Sequence, residues 1–142
     1  MAESLLFVYA SLLTGEPEHG LLGGAQPLGV TTTEPRYALH DLGVYGALVE
    51  GGDTAVSGEV YLVGDDVLLR IDVARQVPIL FQRCAVRLAG GTDAQAYCMS
   101  ADRVRGRRRL RHGDWRRRLA SSVPRPQPSA FVTWARGRFS GR

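Results

Sequence analysis

The chain has 142 residues, 44% of them hydrophobic, and a formal net charge of +4, enough for one domain with a single core. No apolar run approaches the ~20 residues that a membrane-spanning helix needs. The opening Met1-Ala2-Glu3-Ser4 lacks the basic flank of a secretion signal, so a cytoplasmic location is expected.

Leu5 to Tyr9 reads as a buried first strand, and the small-residue loop Ala10-Ser11-Leu12 follows it. Pro17 suits the first turn of a short helix over His19 to Leu22. Ala25 to Val30, Arg36 to Asp41 and Ala47 to Glu50 read as short strands between Gly- and Thr-rich stretches, and Glu50-Gly51-Gly52-Asp53 as a turn. Ala55 to Val63 alternates, with Val56, Gly58, Val60 and Leu62 on one face and Ser57, Glu59, Tyr61 and Val63 on the other. Asp65 and Asp66 favour a helix start, which predicts a helix from Val67 to about Arg75. Gln82 to Leu88 and Ala94 to Met99 complete the strands, joined through Gly90-Gly91. Asp114 to Leu119 reads as a helix start, with Trp115 as an anchor on the domain. Pro124 to Ser129 is Pro-rich, and residues 120–142 are set apart as a Pro- and Arg-rich tail behind a domain of residues 1–119. Many short strands with one or two helices imply a small closed or nearly closed sheet.

All 18 basic residues are arginine, a bias that reads as GC-rich codon usage. Their placement says more. Residues 1–102 hold five arginines against thirteen acids, and residues 103–142 hold thirteen against one. That asymmetry calls for internal neutralisation or an anionic partner. The acidic body favours neutralisation, and the densest arginine run lacks the interleaved aromatics that stack on bases, which disfavours nucleic acid. Cys84 and Cys98 lie in strand-like runs and are expected as small buried thiols, with pairing across a sheet as the alternative. His19, His40 and His112 show no metal-ligand spacing. No nucleotide-binding loop is present, and no cofactor is expected.

Five segments, in order and spacing, carry a resemblance: Phe7-Val8-Tyr9-Ala10-Ser11-Leu12, Gly43-Val44-Tyr45-Gly46-Ala47-Leu48, Gly58-Glu59-Val60-Tyr61, Leu69-Arg70-Ile71-Asp72 and Gly113-Asp114-Trp115-Arg116. Together they resemble the gamma-glutamylcyclotransferase-like (AIG2-like) family from about residue 5 to about 119. The resemblance implies an α+β fold, a small mixed β-barrel with short flanking helices. It also implies a small-molecule substrate and a monomer or homodimer. The reaction known for such proteins is attack of a γ-glutamyl α-amine on its own side-chain carbonyl, releasing an amine and 5-oxoproline. It needs a general base and a folded-back substrate. The family base is a glutamate in a Leu-Asp-x-x-Glu pattern, and a Tyr-Gly-Ser/Thr-Leu loop binds the substrate's polar end. On this chain the loop is Tyr9-Ala10-Ser11-Leu12, with alanine for glycine. The base position falls on Arg75, which cannot accept a proton. The Gly-x-Tyr-Pro-Ala segment has Gly46 for proline.

The substrate-binding candidates are therefore Tyr9, Ala10, Ser11 and Leu12, and the catalytic candidates are Glu59, Arg75 and Tyr45. Glu59 is either a pocket base or a structural partner for an arginine such as Arg83. Arg75 is either an anion clamp or a solvated helix end, and Asp72 reads as a helix-surface or capping residue. Three functions stay open. The first is an enzyme repurposed for proton transfer, cyclisation or rearrangement, of the sort found in specialised metabolism. The second is a true cyclotransferase with Glu59 as base, and the third a non-catalytic binding protein.

Overall fold

A computed structural model describes residues 3–119, and in it the seven strand-like runs become strands, with a short eighth of two arginines that the sequence does not announce. They are β1 (Glu3–Val8), β2 (Gln26–Thr32), β3 (Tyr37–Asp41), β4 (Gly46–Glu50), β5 (Ser57–Gly64), β6 (Gln82–Arg87), β7 (Asp93–Cys98) and β8 (Arg108–Arg109). The strands form one mixed sheet in the order β2-β5-β1-β7-β4-β3-β8, with β6 paired to β7 off that path. β1 runs antiparallel to β5 from Glu3 opposite Gly64 to Val8 opposite Glu59. Both β1 and β4 meet β7 in parallel. Among the described residues one α-helix and a few 3-10 turns accompany this sheet, which makes the fold α+β.

Alternation along the strands sorts the core onto two faces. Leu6 and Val8 of β1, Ala47 and Val49 of β4, and Tyr61 and Val63 of β5 share one cluster with Val67, Leu68 and Ile71 of α1 (Asp65–Ala74) and with Phe81. Phe7, Leu39, Leu48, Val56, Val86 and Ala96 form the other, closed by Leu110 and Trp115. Trp115 is buried as the anchor that the sequence suggests, and Arg118 lies 4.0 Å over its ring. Asp65 and Asp66 occupy the first turn of α1, where backbone N–H groups favour negative charge.

Two expectations are corrected. Cys84 and Cys98 are not separate thiols; they form a disulfide across β6 and β7, with Cα atoms 6.2 Å apart. The register sets Cys84 opposite Ala96 and Gln82 opposite Cys98, so the two side chains are diagonal neighbours on one face. Arg83 does not pair with Glu59. It grips Asp72 with two bonds, Nε to Oδ1 at 3.0 Å and Nη2 to Oδ2 at 2.6 Å, because the register sets Arg83 opposite Tyr97, whose hydroxyl also bonds Asp72, while Glu59 lies on β5 between β1 and β2.

The arginine-rich segment lies against the acidic body as far as residue 119. Arg108 faces Asp41 at 3.7 Å, Arg109 pairs with Asp53, and Arg116 sits 3.8 Å from Glu16 and 3.7 Å from Glu59. The proposed tail, with its own aromatics, lies outside the described residues. No described helix is long and apolar enough to cross a membrane, and no cluster of metal-ligand side chains occurs among the described residues.

Candidate active site

The segment from Tyr9 to Glu18 organises the site. It leaves β1, makes a 3-10 turn over Ala10–Leu12, and returns so that Glu18 N donates to Ser11 O at 2.9 Å. Tyr9 is consumed in the core. Its hydroxyl donates to Tyr97 O and accepts from Leu48 N at 3.0 Å, tying β1 to β7 and β4. Burial pushes the phenol up to about 12. Leu12 packs its side chain into the core, and its carbonyl lies 2.9 Å from His19 Nδ1. Ala10 adopts φ +57°, a conformation that costs a residue with a Cβ roughly 1–2 kcal/mol. Its methyl stands 2.6 Å from where a Cβ on Gly46 would lie, and Trp115 ring carbons stand 3.1 and 3.2 Å from that point. The alanine in the loop and the glycine at the start of β4 thus form a fitted pair: the methyl of one uses the space that the other leaves.

Arg75 caps the carboxyl end of α1, where positive charge is favoured. It is not a solvated helix end, for its side chain is only 4% exposed. Nη2 contacts Glu18 Oε1 at 2.7 Å and donates to Ser11 Oγ at 3.0 Å. Ser11 Oγ donates in turn to the same Glu18 oxygen at 2.7 Å. The guanidinium lies 4.7 Å from the Tyr45 ring centroid and 5.6 Å from that of Phe81, distances suited to cation–π attraction. Nη1 is buried with no hydrogen-bond partner among the described residues. Burial works against a charged Glu18, but its bonds from Arg75 and Ser11 outweigh that and hold the carboxyl below its usual range.

Asp72, one helical turn before Arg75, anchors the helix. It accepts from Tyr97 OH at 2.7 Å as well as from Arg83. Burial opposes its ionisation, yet the Arg83 fork and the tyrosine prevail and keep the carboxyl below the usual range. Burial, then the Asp72 carboxylate it donates to, raises Tyr97.

Glu59 holds the other end of the same loop. Its carboxylate accepts from Thr14 N at 3.1 and 3.2 Å, Thr14 Oγ1 at 2.9 Å and Tyr61 OH at 2.8 Å. Arg116 Nη2 lies 3.7 Å away and donates to Thr14 O. This glutamate also lines an open cleft of about 550 Å³ with Thr31, Thr32, Ser57, Asp114 and Arg116. Arg75, Ser11 and Tyr45 are thus brought together, whereas Glu59 sits with Thr14.

The chain matches the family described as gamma-glutamyl cyclotransferase, AIG2-like, over residues 6–117. It belongs to that family. A Vibrio cholerae protein provisionally named a gamma-glutamylcyclotransferase is 43% identical over 90 residues, which cover 63% of this chain and 77% of that protein. The solution structure of ytfP from Escherichia coli is 30% identical with a TM-score of 0.63, covering 81% of this chain and 98% of that one. The crystal structure of an AIG2-like protein from Mus musculus shares the fold at 23% identity and a TM-score of 0.59, covering 71% and 78%. The part of the site that sequence reading missed is Glu18. It stands beside Pro17, where its only legible signal was entry into a helix, and nothing local marks it as the partner of a residue 57 positions later.

Proposed function

We propose that this member of the gamma-glutamylcyclotransferase-like family is an enzyme whose pocket serves a proton-transfer, cyclisation or rearrangement step on a small molecule other than a γ-glutamyl amine. The observation that carries this reading is the buried Arg75, bonded to the loop through Ser11 and Glu18. Arg75 falls where the resembled pattern has its base. Cyclising a γ-glutamyl amine requires a group that takes a proton from an ammonium with a pKa of about 8. A permanent cation against the loop repels that ammonium. It also weakens the nearest carboxylate as a base: against the opposing influence of burial, the bonds from Arg75 and Ser11 hold Glu18 below its usual range, which makes the proton transfer more uphill than for an ordinary glutamate. The same cation favours a reaction in which negative charge grows on the substrate. Ser11 then orients the substrate, Arg75 offsets the developing charge, and Tyr45 forms the wall behind the guanidinium.

The test is 5-oxoproline release from a panel of γ-glutamyl amines, followed by mass spectrometry. The native protein should release none. The double variant Glu18→Gln, Arg75→Glu should gain release, because it restores a carboxylate at the helix end without setting two acids side by side. Release by the native protein would overturn the proposal. Its loss on Glu59→Gln would then assign the base to Glu59, as in the true-cyclotransferase reading.

A further inference from the structure

We infer that Arg75 is a recognition site for a ligand carboxylate, and that Glu18 occupies this site in the resting protein. The inference rests on the proposed pocket and names its substrate class: a small molecule that presents a carboxylate to the loop, not an ammonium.

Four observations carry it. A guanidinium presents a planar fork that matches the two oxygens of a carboxylate. Here the fork is half used: Nη2 engages one oxygen of Glu18, and Nη1 is buried without a partner among the described residues. A buried donor left unmade is costly, so a ligand that engages both nitrogens gains a bond that Glu18 does not make. The second observation is the incumbent's access to water. Glu18 is 26% exposed while Arg75 is 4% exposed, so the acid meets solvent where the guanidinium it bonds does not. Third, the Glu18 backbone is held by its N–H bond to Ser11 O, so rotating the side chain away leaves that bond in place. Replacing one carboxylate by another never leaves the arginine bare, which is the expensive step in opening a buried ion pair. Fourth, Ser11 Oγ, which now donates to Glu18, is placed to donate to the incoming group, and the Tyr45 and Phe81 rings lie 4.7 and 5.6 Å from the guanidinium.

The experiment uses the full chain and titrates acetate, glutarate and benzoate, each against its primary amide, by isothermal calorimetry. At least one carboxylate should bind while its amide does not. Glu18→Gln, which removes the charged competitor, should tighten that binding at least tenfold. The neutral pair Glu18→Gln, Arg75→Gln should abolish it without leaving an unpaired charge. Equal binding of acid and amide, or unchanged affinity in Glu18→Gln, would overturn the inference. The arginine side-chain N–H resonances of the native protein give a reading independent of variant folding. Carboxylate should shift the Arg75 signals, and Arg75 signals unmoved at saturating carboxylate would sink the idea. The inference and the proposed function fail separately. Carboxylate binding by a protein that also releases 5-oxoproline refutes the function alone, and turnover of a substrate without a carboxylate refutes the inference alone.

Discussion

Two glutamate–arginine pairs grip opposite ends of one loop, and they differ in what they leave unfinished. At Thr14 the Glu59 carboxylate takes its bonds from a backbone N–H and two hydroxyls, and Arg116 stands off at 3.7 Å. At Ser11 the Glu18 carboxylate is bonded directly to Arg75 at 2.7 Å, and the arginine keeps a buried nitrogen with no partner among the described residues. The first is a saturated acceptor and behaves as a loop anchor. The second is an unsaturated donor enclosed by aromatic rings, and unspent hydrogen-bonding capacity is what a ligand can use. A cleft beside Glu59 is therefore a weaker indicator of function than a missing bond at Arg75.

The strongest way to break this comparison is to remove Arg75. Arg75→Met deletes both the ion pair and the fork, and strands Glu18 against the loop. It should destabilise the protein by about 3 kcal/mol in urea unfolding. Adding Glu18→Gln should recover most of that loss. If the single variant unfolds like the native protein, the buried pair has no structural role and Arg75 belongs wholly to ligand binding.

A somewhat smaller effect sharpens the geometry of the loop. Gly46→Ala places a Cβ 2.6 Å from the Ala10 methyl and close to Trp115, and should cost about 2 kcal/mol. Ala10→Gly vacates that space and relieves the positive φ, so the double variant should be nearly as stable as the native chain. The coupling in the double-mutant cycle should exceed ~1 kcal/mol. Additive losses would show that the two residues, both departures from the resembled pattern, changed independently.

The smallest effect concerns acid. Asp72 is held below the usual carboxyl range by Arg83 and Tyr97, against the opposing influence of burial. As pH falls, the unfolded chain binds the proton first, at about 3.9, so the stability from Asp72 is complete above that value. It is lost as pH drops through the lower folded value. Asp72→Asn should cost about 1 kcal/mol at neutral pH, seen as a drop of a few degrees in Tm, and should flatten the fall of Tm below pH 4. An acid limb that keeps its slope in Asp72→Asn would assign that sensitivity to other carboxylates.

Local patterns determined much of this protein. Strand alternation, the Asp65-Asp66 helix start and the buried Trp115 follow from side-chain period and end charges, which act between near neighbours in the chain. The family was legible too, because its segments survive in order and spacing. Tertiary structure alone decided the rest. Register made Cys84 and Cys98 partners and gave Arg83 to Asp72, and neither strand announces its neighbour. The fitted contact of Ala10 with Gly46 joins two elements 36 positions apart. Arg75 could be read as an anion clamp or a solvated end until the fold closed around it. What ruled out the solvated end was burial against Glu18, delivered by a loop whose own sequence says only where a helix begins, since a buried charge takes its meaning from the groups that enclose it.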